Sequence, residues 1–563
     1  MRRLFTGEHS TPPTEDAPTL VTARRIRTMT DARPEAEAMV LLGGRIAWIG
    51  ETAAAHAEAR RLCRTDQRPH HVDLGDAVVA PGFIDPHAHP LMHGQMMSWV
   101  DCSPERAGSI PEIVELLRAA AARLPADTPV RGYGYEQTNL AEGRHPTRDE
   151  LDRVADDRPV YLMNASGHGG VVNSRTLTSC GVDESTPDPP GGEFFRDGDG
   201  RLTGEVSDSA CNVLTGLDGV KIGSHGPNFH LGDSPAEHLE QLDASQQEFL
   251  SHGVTTIGDA QVSRREFDTY LRAAAEGRLR TRVGLYALSH LLDAAVDLGL
   301  HGAFGNARLW FAGVKLYADG TLGGSTAYFP EGYRDDPCRR GMLYHPPEEY
   351  AELVRRAHSV GLQTATHAQS PTAVGMVLDA VRAAQRTAPR KDARHRIEHC
   401  GLPSAAQVAE IADLGIIPVN QPQHYHNWGD GLLTTVGETA ARFNPLGEFD
   451  AAGIRFALSS DAPVADPHAL AAVGTAATRR TRSGAVHGSA ELTVGVDRAL
   501  QAHTVDAARA LGREHDLGSL APGTRADFVV LDDDPLSLSP DTLPALTVRQ
   551  TWVDGRLAWE APR

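Results

Sequence analysis

The sequence predicts a (β/α)8 barrel carrying a small β domain built from both chain ends. Three observations predict it. Eight strand-like runs alternate with helix-like runs through the middle of the chain. Histidine, lysine and aspartate recur at the C-terminal ends of those runs, where barrel enzymes place their chemistry. Short strands with Gly-rich turns stand before the first run and after the last.

Taken in order, residues 1–17 are polar and Pro-containing and read as a loose tail. From Thr19 come TLVTARRIRTM, EAMVLLGGRIAWIG with Gly43-Gly44 as its turn, and HHVDLGDAVVAPG. Similar signals return in GSLAPGTRADFVVLDDDP and ALTVRQTWVDGRLAWE. The two ends, 18–80 and 515–563, are expected to share one small β-sandwich, with the barrel over 81–514. The barrel's first strand is the apolar run that ends in Asp85-Pro86-His87-Ala88-His89-Pro90. The other seven are GVTTIGDAQ, RTRVGLYAL, LWFAGVKLYADG, LQTATHA, HRIEHC, IIPVNQ and RFALSSDAP. Helical patterns such as EEYAELVRRAHSVG and SAAQVAEIADLG separate most of them. Residues from about 100 to 240 exceed this count. They hold PVRGYGYEQ, RPVYLMNASGHGG and the Gly/Pro-rich PDPPGGEFFRDGDGR, and read as an insertion after barrel strand one.

Composition narrows the function. A formal net charge of −20 argues against nucleic acid or an anionic membrane as partner. Six cysteines without a Cys-x-x-Cys pair form no disulfide framework in a chain of 563 residues. There is no secretory signal and no apolar run of about 18 residues, so a cytoplasmic protein is expected. Its expected partner is a small-molecule substrate, and nothing excludes a homo-oligomer. Lysine occurs only at Lys221, Lys315 and Lys391, although Lys and Arg together number 54. A lysine inside an apolar strand of so Arg-rich a chain is therefore informative.

The strand ends supply a constellation. Strand one ends in His87 and His89, which a period of two places on one side, as a single divalent ion requires. Strand four carries Lys315, strand five ends in His367, strand six in His399 and strand eight in Asp461. Each has an ordinary alternative: a loop histidine, a helix-capping aspartate, a lysine snorkelling to water. Their coincidence at four strand ends, with a rare lysine between them, does not. His168, in the insertion, is placed to reach over the barrel mouth and bind substrate. Asp319 is a candidate to orient strand four or a metal ligand from behind. Tyr135, His424, His426 and Trp428 are weaker candidates, expected in loops that line the pocket.

With APGFIDPHAHP, GHGGVVNS, GVKLYADGTL, HRIEHC, ALSSDAP and GSLAPGTRADFVVLD in place, the chain resembles the amidohydrolase superfamily. Within it the chain looks like the family 3 branch, which includes N-substituted formamide deformylases. The resemblance implies that His87 and His89 bind the more buried metal, and that His367 and His399 bind a second. It implies that Lys315, carboxylated, bridges the two, and that Asp461 contacts the first and moves protons. Physical chemistry agrees. Burial lowers a lysine pKa, and the neutral amine can form a two-oxygen carbamate, which arginine cannot. One or two divalent ions are expected, zinc first. Two departures bear on substrate: Ala368-Gln369-Ser370-Pro371 where many members carry Gly-Asp, and Ser325 where many carry Arg.

The expected function is hydrolysis of a C–N bond in an amide, formamide or related group, by attack of a metal-bound hydroxide. The alternatives are ester or lactone hydrolysis or decarboxylation at the same site, or a non-enzymatic scaffold.

Overall fold

The computed structural model describes residues 17–64, 68–126, 128–214, 224–227, 232–300, 302 and 304–562. The polar tail read over 1–17 lies, except for its last residue, outside them.

The eight expected barrel strands all form. They are β1 (Phe83–Ala88), β2 (Val254–Val262), β3 (Arg282–Leu288), β4 (Leu309–Tyr317), β5 (Gln363–Ala368), β6 (Arg396–His399), β7 (Ile417–Asn420) and β8 (Ala457–Leu458). They pair in parallel in chain order. The ring closes at its mouth, where Asp461 N donates to His87 O at 2.9 Å and His89 N to Ala462 O at 2.8 Å. Ser460 N and Oγ donate to the buried Asp85 carboxyl beneath. The closing bonds thus draw the His-x-His segment and Asp461 together.

Two irregularities aim side chains. Pro86 has no N–H for the ladder, and β1 and β2 slip register across it. Gly258 permits the close approach there, since a Cβ would lie 2.1 Å from Pro86 O. In β4, Ala312 is an extra residue between the partners of Leu285 and Tyr286. Trp310 and Lys315 are an odd number of residues apart and would face opposite ways in a regular strand. The bulge lets Trp310 join the inner plug while Lys315 reaches the mouth.

Buried residues line both faces of the strands. Ile84, Tyr286, Trp310, Ala365, Val419 and Ala457 cluster with the helix Val505–Ala510. On the other face, Val314, Leu316 and Ala368 pack against helices Pro347–Ser359 and Pro371–Thr387. Both faces are apolar, as in a parallel sheet covered by helices.

Both chain ends enter one eight-stranded sheet. Val78–Pro81 from the first end pairs antiparallel with Phe528–Leu531 from the second. Gly43-Gly44 forms the expected turn, with φ 58° and 75°. Asp554-Gly555, φ 54° and 68°, forms its counterpart between Val548–Val553 and Arg556–Glu560. Residues of both ends, Val21, Met39, Ile49, Phe528 and Val530 among them, share one core. Arg282 at the start of β3, buried, pairs with Asp527 and Asp554 and ties this unit to the barrel.

Between β1 and β2 stands a six-stranded sheet. Val130–Tyr135 and Val160–Asn164 are the strands read from sequence. Gly192–Arg196 and Leu202–Asp208 form a further hairpin where the Gly/Pro-rich stretch concealed it. Residues 215–223 and 228–231 of the insertion are outside the described set. All six cysteines are free. Among the described residues, no helix is long and apolar enough to cross a membrane.

Candidate metal centre at the barrel mouth

Asp461 follows β8 and stands between two pairs of histidines. Its Oδ1 lies 3.0 Å from His89 Nε2 and 3.4 Å from His87 Nε2. Its Oδ2 lies 3.6 Å from His424 Nε2 and 3.9 Å from His399 Nδ1. Two buried donor groups result, His87/His89/Asp461 and His399/His424/Asp461, joined through one carboxylate. Lys315 Nζ donates to His87 Nε2 at 3.4 Å and sits 4.6 Å from the centre of the Tyr317 ring.

Second partners fix the rings. The His87 Nδ1–H donates to Glu398, which two bonds from buried Arg396 hold in turn, so the Nε2 lone pair faces the mouth. The His399 Nδ1–H donates to Gln421 Oε1 at 2.7 Å, which leaves its Nε2, rather than Nδ1, as the nitrogen with a lone pair for a metal. The His367 Nε2–H donates to Gly320 O at 2.9 Å. His367 packs 4.4 Å from the His399 ring but stands outside both donor groups; its Nδ1 is the nitrogen left over.

The charges suit a cation. Burial alone would raise the Asp461 carboxyl, but His87, His89 and His399 around it hold it well below the usual range. Burial also opposes ionisation of Glu398, yet Arg396 and His87 bring it down to about 2. Burial lowers His89 and His424 to about 4, and His367 and His399 well below the ordinary value. Neutral imidazoles and an ionised carboxylate are the forms that bind metal. Burial brings Lys315 down to about 8, so a minor fraction of its amine, about a tenth, is neutral at pH 7.

The residues fit a divalent ion on a further count. His89 Nδ1 and both ring nitrogens of His424 are buried without a hydrogen-bond partner. Buried polar atoms without partners are costly unless something binds them.

The remaining candidates separate. His168 does reach the mouth: its ring lies 5.1 Å from that of His367, and its Nδ1 bonds Asp208 Oδ1 at 2.6 Å. Tyr344 also donates to Asp208, which is fully buried with φ 51°. His168→Ala should raise KM or change substrate preference while metal content, measured by elemental analysis, stays at the parent level. Loss of metal would make His168 a ligand. Asp319 accepts backbone N–H bonds from Gln369 at 2.9 Å, Ser370 at 3.0 Å and Tyr328 at 3.1 Å. It pins the turn directly after His367. His424, His426 and Trp428 lie on the helix Pro422–Thr435, not in loops. His426 turns away to Arg480 O, and Tyr135 is buried inside the insertion against His145.

Sequence reasoning placed His424 only as a weak pocket-lining candidate, not as a metal donor, and it missed Glu398 and Asp208 as site neighbours. The strand-end rule applied to β7 would have reached His424, four residues beyond Asn420. Arg396 and Glu398, alternating in an otherwise apolar strand, were the signal for the Glu398 contact.

A buried carboxyl on β2 gives a pH signature. Asp259 accepts from the Tyr270 hydroxyl at 2.7 Å, and burial, helped by Glu266, pushes it up to about 7. The folded chain therefore keeps a proton that the unfolded chain releases near pH 4. This contribution to stability is full below the unfolded pKa and fades as pH rises to about 7. Asp259→Asn should gain on the parent by on the order of 2 kcal/mol between about pH 5 and pH 8.5. Denaturant unfolding at both pH values checks it; a pH-independent difference would refute it.

A parallel barrel with histidine–carboxylate donor groups at its C-terminal mouth defines a class of protein built to hold divalent metal over a substrate pocket. The chain belongs to the Amidohydrolase family, whose model matches residues 71–558. It is 31% identical over 549 residues to an N-substituted formamide deformylase of Arthrobacter pascens, covering 95% of this chain and 97% of that one. Two solved structures share the fold, both of uncharacterized metal-dependent hydrolases. That from Pyrococcus horikoshii OT3 superposes with TM-score 0.74 at 24% identity, over 93% of this chain and 99% of its own. That from Pyrococcus furiosus gives TM-score 0.71 at 27% identity, over 92% and 100%.

Proposed function

We propose that this chain hydrolyses the C–N bond of a formamide or related amide, releasing an amine and a carboxylic acid. The observation that carries the reading is the Asp461 carboxylate, buried, ionised and shared between two histidine pairs. Family membership and the formamide-cleaving relative support the same chemistry. His87, His89 and Asp461 would hold the first ion; His399 would hold a second with His424, or with His367 and a carboxylated Lys315. A divalent ion there, zinc first, with manganese, iron or cobalt compatible with the same donors, supplies a Lewis acid that polarises the carbonyl and acidifies water. Asp461 takes a proton from the attacking water and returns it to the leaving nitrogen, so that the expelled group departs as a neutral amine. Glu398 keeps His87 in the tautomer that offers Nε2 to the mouth.

The test is product analysis with metal-reconstituted protein on N-substituted formamides, N-acyl amines, esters and lactones. Equimolar formate and amine from a formamide supports the reading. Turnover confined to esters or lactones overturns it, as does protein that purifies without metal and turns over nothing.

Lys315 bears on the metal count. With its Nζ 3.4 Å from His87 Nε2, a carbamate on that nitrogen would stand among the donors. Lys315→Ala should lose one ion of two and most activity, with partial rescue by a short carboxylic acid. An unmodified amine, seen by mass spectrometry in active, fully metallated protein, would instead favour the His399/His424 group as the second site.

A further inference from the structure

The helix Arg264–Ala275 follows β2 and buries Glu266, Thr269, Tyr270 and Ala273 on its inner face. Its outer face carries two rows at four-residue spacing, about 60° apart round the helix. One row is Phe267, Leu271 and Ala275, and the other is Arg264, Asp268, Arg272 and Glu276, with alternating sign; every member is exposed. Phe267 at 41% and Leu271 at 45% exposure depart from an amphipathic helix, whose large apolar side chains turn inward. Of the nine large apolar side chains exposed among the described residues, four, these two with Leu298 and Phe304, belong to the chain between β2 and β4. The exposure is therefore gathered in one stretch rather than scattered singly.

The helix holds its charged row loosely. Arg264 Nε stands 3.6 Å from Asp268 Oδ2, with the arginine side chain 91% exposed. Asp268 and Arg272 have the acid-before-base order that favours a pair four residues apart. They form none, and Arg272 has no ion pair among the described residues.

Both rows fit a second copy of the same helix. A two-fold axis level with Tyr270, laying the helix antiparallel on its copy, brings like row against like row. Arg264 then stands level with the copy's Glu276, and Asp268 with the copy's Arg272, so every facing pair has opposite sign. In the apolar row Leu271 falls between Phe267 and Leu271 of the copy. One axis position thus serves both rows. An axis two residues further on would set Arg272 against itself and Asp268 against Glu276. Net charge points to the same face. At −20 the chain repels its copy over most approaches, whereas this charged row sums to zero and leaves the apolar contact unopposed.

We propose that the helix Arg264–Ala275 is the centre of a two-fold interface between copies of this chain. Phe267 and Leu271 supply its apolar contact, and Asp268 against Arg272 fixes its register. About 18 Å of helix gives less than the roughly 1,600 Å2 of a standard interface, so association with a dissociation constant of about micromolar order is expected.

Sedimentation equilibrium of the full chain tests this. The mass should rise from 60.4 kDa toward twice that value with concentration. Asp268→Arg sets arginine against arginine at both symmetric contacts, and Arg272→Asp sets carboxylate against carboxylate. Each should raise Kd by at least about tenfold. Asp268→Arg and Arg272→Asp together restore opposite signs across the axis and should return Kd to within about threefold of the parent. Leu271→Asp should weaken association by about thirtyfold or more. Circular dichroism and Tm show that each variant is folded, as exposed positions allow. A parent that stays at 60.4 kDa at every concentration overturns the proposal and leaves this face to some other partner or to water. A dimer indifferent to Asp268→Arg overturns it too, as does a double variant no better than the single ones, since the interface then lies elsewhere or in another register.

Discussion

Changing His87 and His89 together to alanine is expected to remove metal from the first donor group and to take turnover to background. The loss should be at least about 10⁴-fold, within the 10⁶-fold or more that enzymes supply. Both rings are buried, at 1% and 7% exposure, and both face Asp461 Oδ1. With them gone, the carboxylate keeps no imidazole on that side, and one acidic group holds a divalent ion poorly against water. His89 Nε2 has Asp461 beside it, while its buried Nδ1 has no protein partner. Elemental analysis together with kcat checks the expectation, with circular dichroism to show that the barrel persists. Equal metal in variant and parent would remove the pair from the site.

Asp461→Asn is expected to slow turnover by roughly 10²–10⁴-fold while most of the metal stays. Asparagine keeps the size and one acceptor oxygen but cannot take the proton. The backbone accommodates the change: Asp461 has φ 63°, in the left-handed region that asparagine tolerates better than most residues. The rival reading from sequence was a helix cap. The structure removes that role, since the next helix runs Ala469–Thr478 and its cap is His468. A stability cost from lost capping is therefore not expected. A kcat near the parent value with normal metal content would take Asp461 out of the mechanism.

The legibility of this chain differed by level. The eight barrel strands could be read because each is a short apolar run, buried on both faces and bounded by turn or helix signals. That pattern is local. The end strands could be read because Gly43-Gly44 and Asp554-Gly555 mark tight turns in the sequence itself. The hairpin Gly192–Arg196 and Leu202–Asp208 escaped because Pro189-Pro190-Gly191-Gly192 and Asp197–Gly200 look like loop, and its pairing with Gly169–Val172 is a long-range event. In the site, the strand-end rule picked out His87, His89, Lys315, His367, His399 and Asp461. It passed over β7, because His424 sits inside a helix whose first turn aims it back over the mouth.

Residue chemistry and spacing alone therefore determined that a parallel barrel would form, and that nitrogen and oxygen donors would gather at one end of it. Strand period and strand order are local properties, and a closed ring of parallel strands brings their ends together whatever the details. Only the tertiary structure decided which donors meet. The slip at Pro86 and the bulge at Ala312 set the parity of β1 and β4, and the bonds between His87, His89 and the Asp461 segment set the closure. The contacts at His367 follow from Gly320 O, a backbone atom with no sequence signature. Donor distances within a few ångströms depend on such contacts between remote segments, and those are fixed by packing rather than by any local pattern.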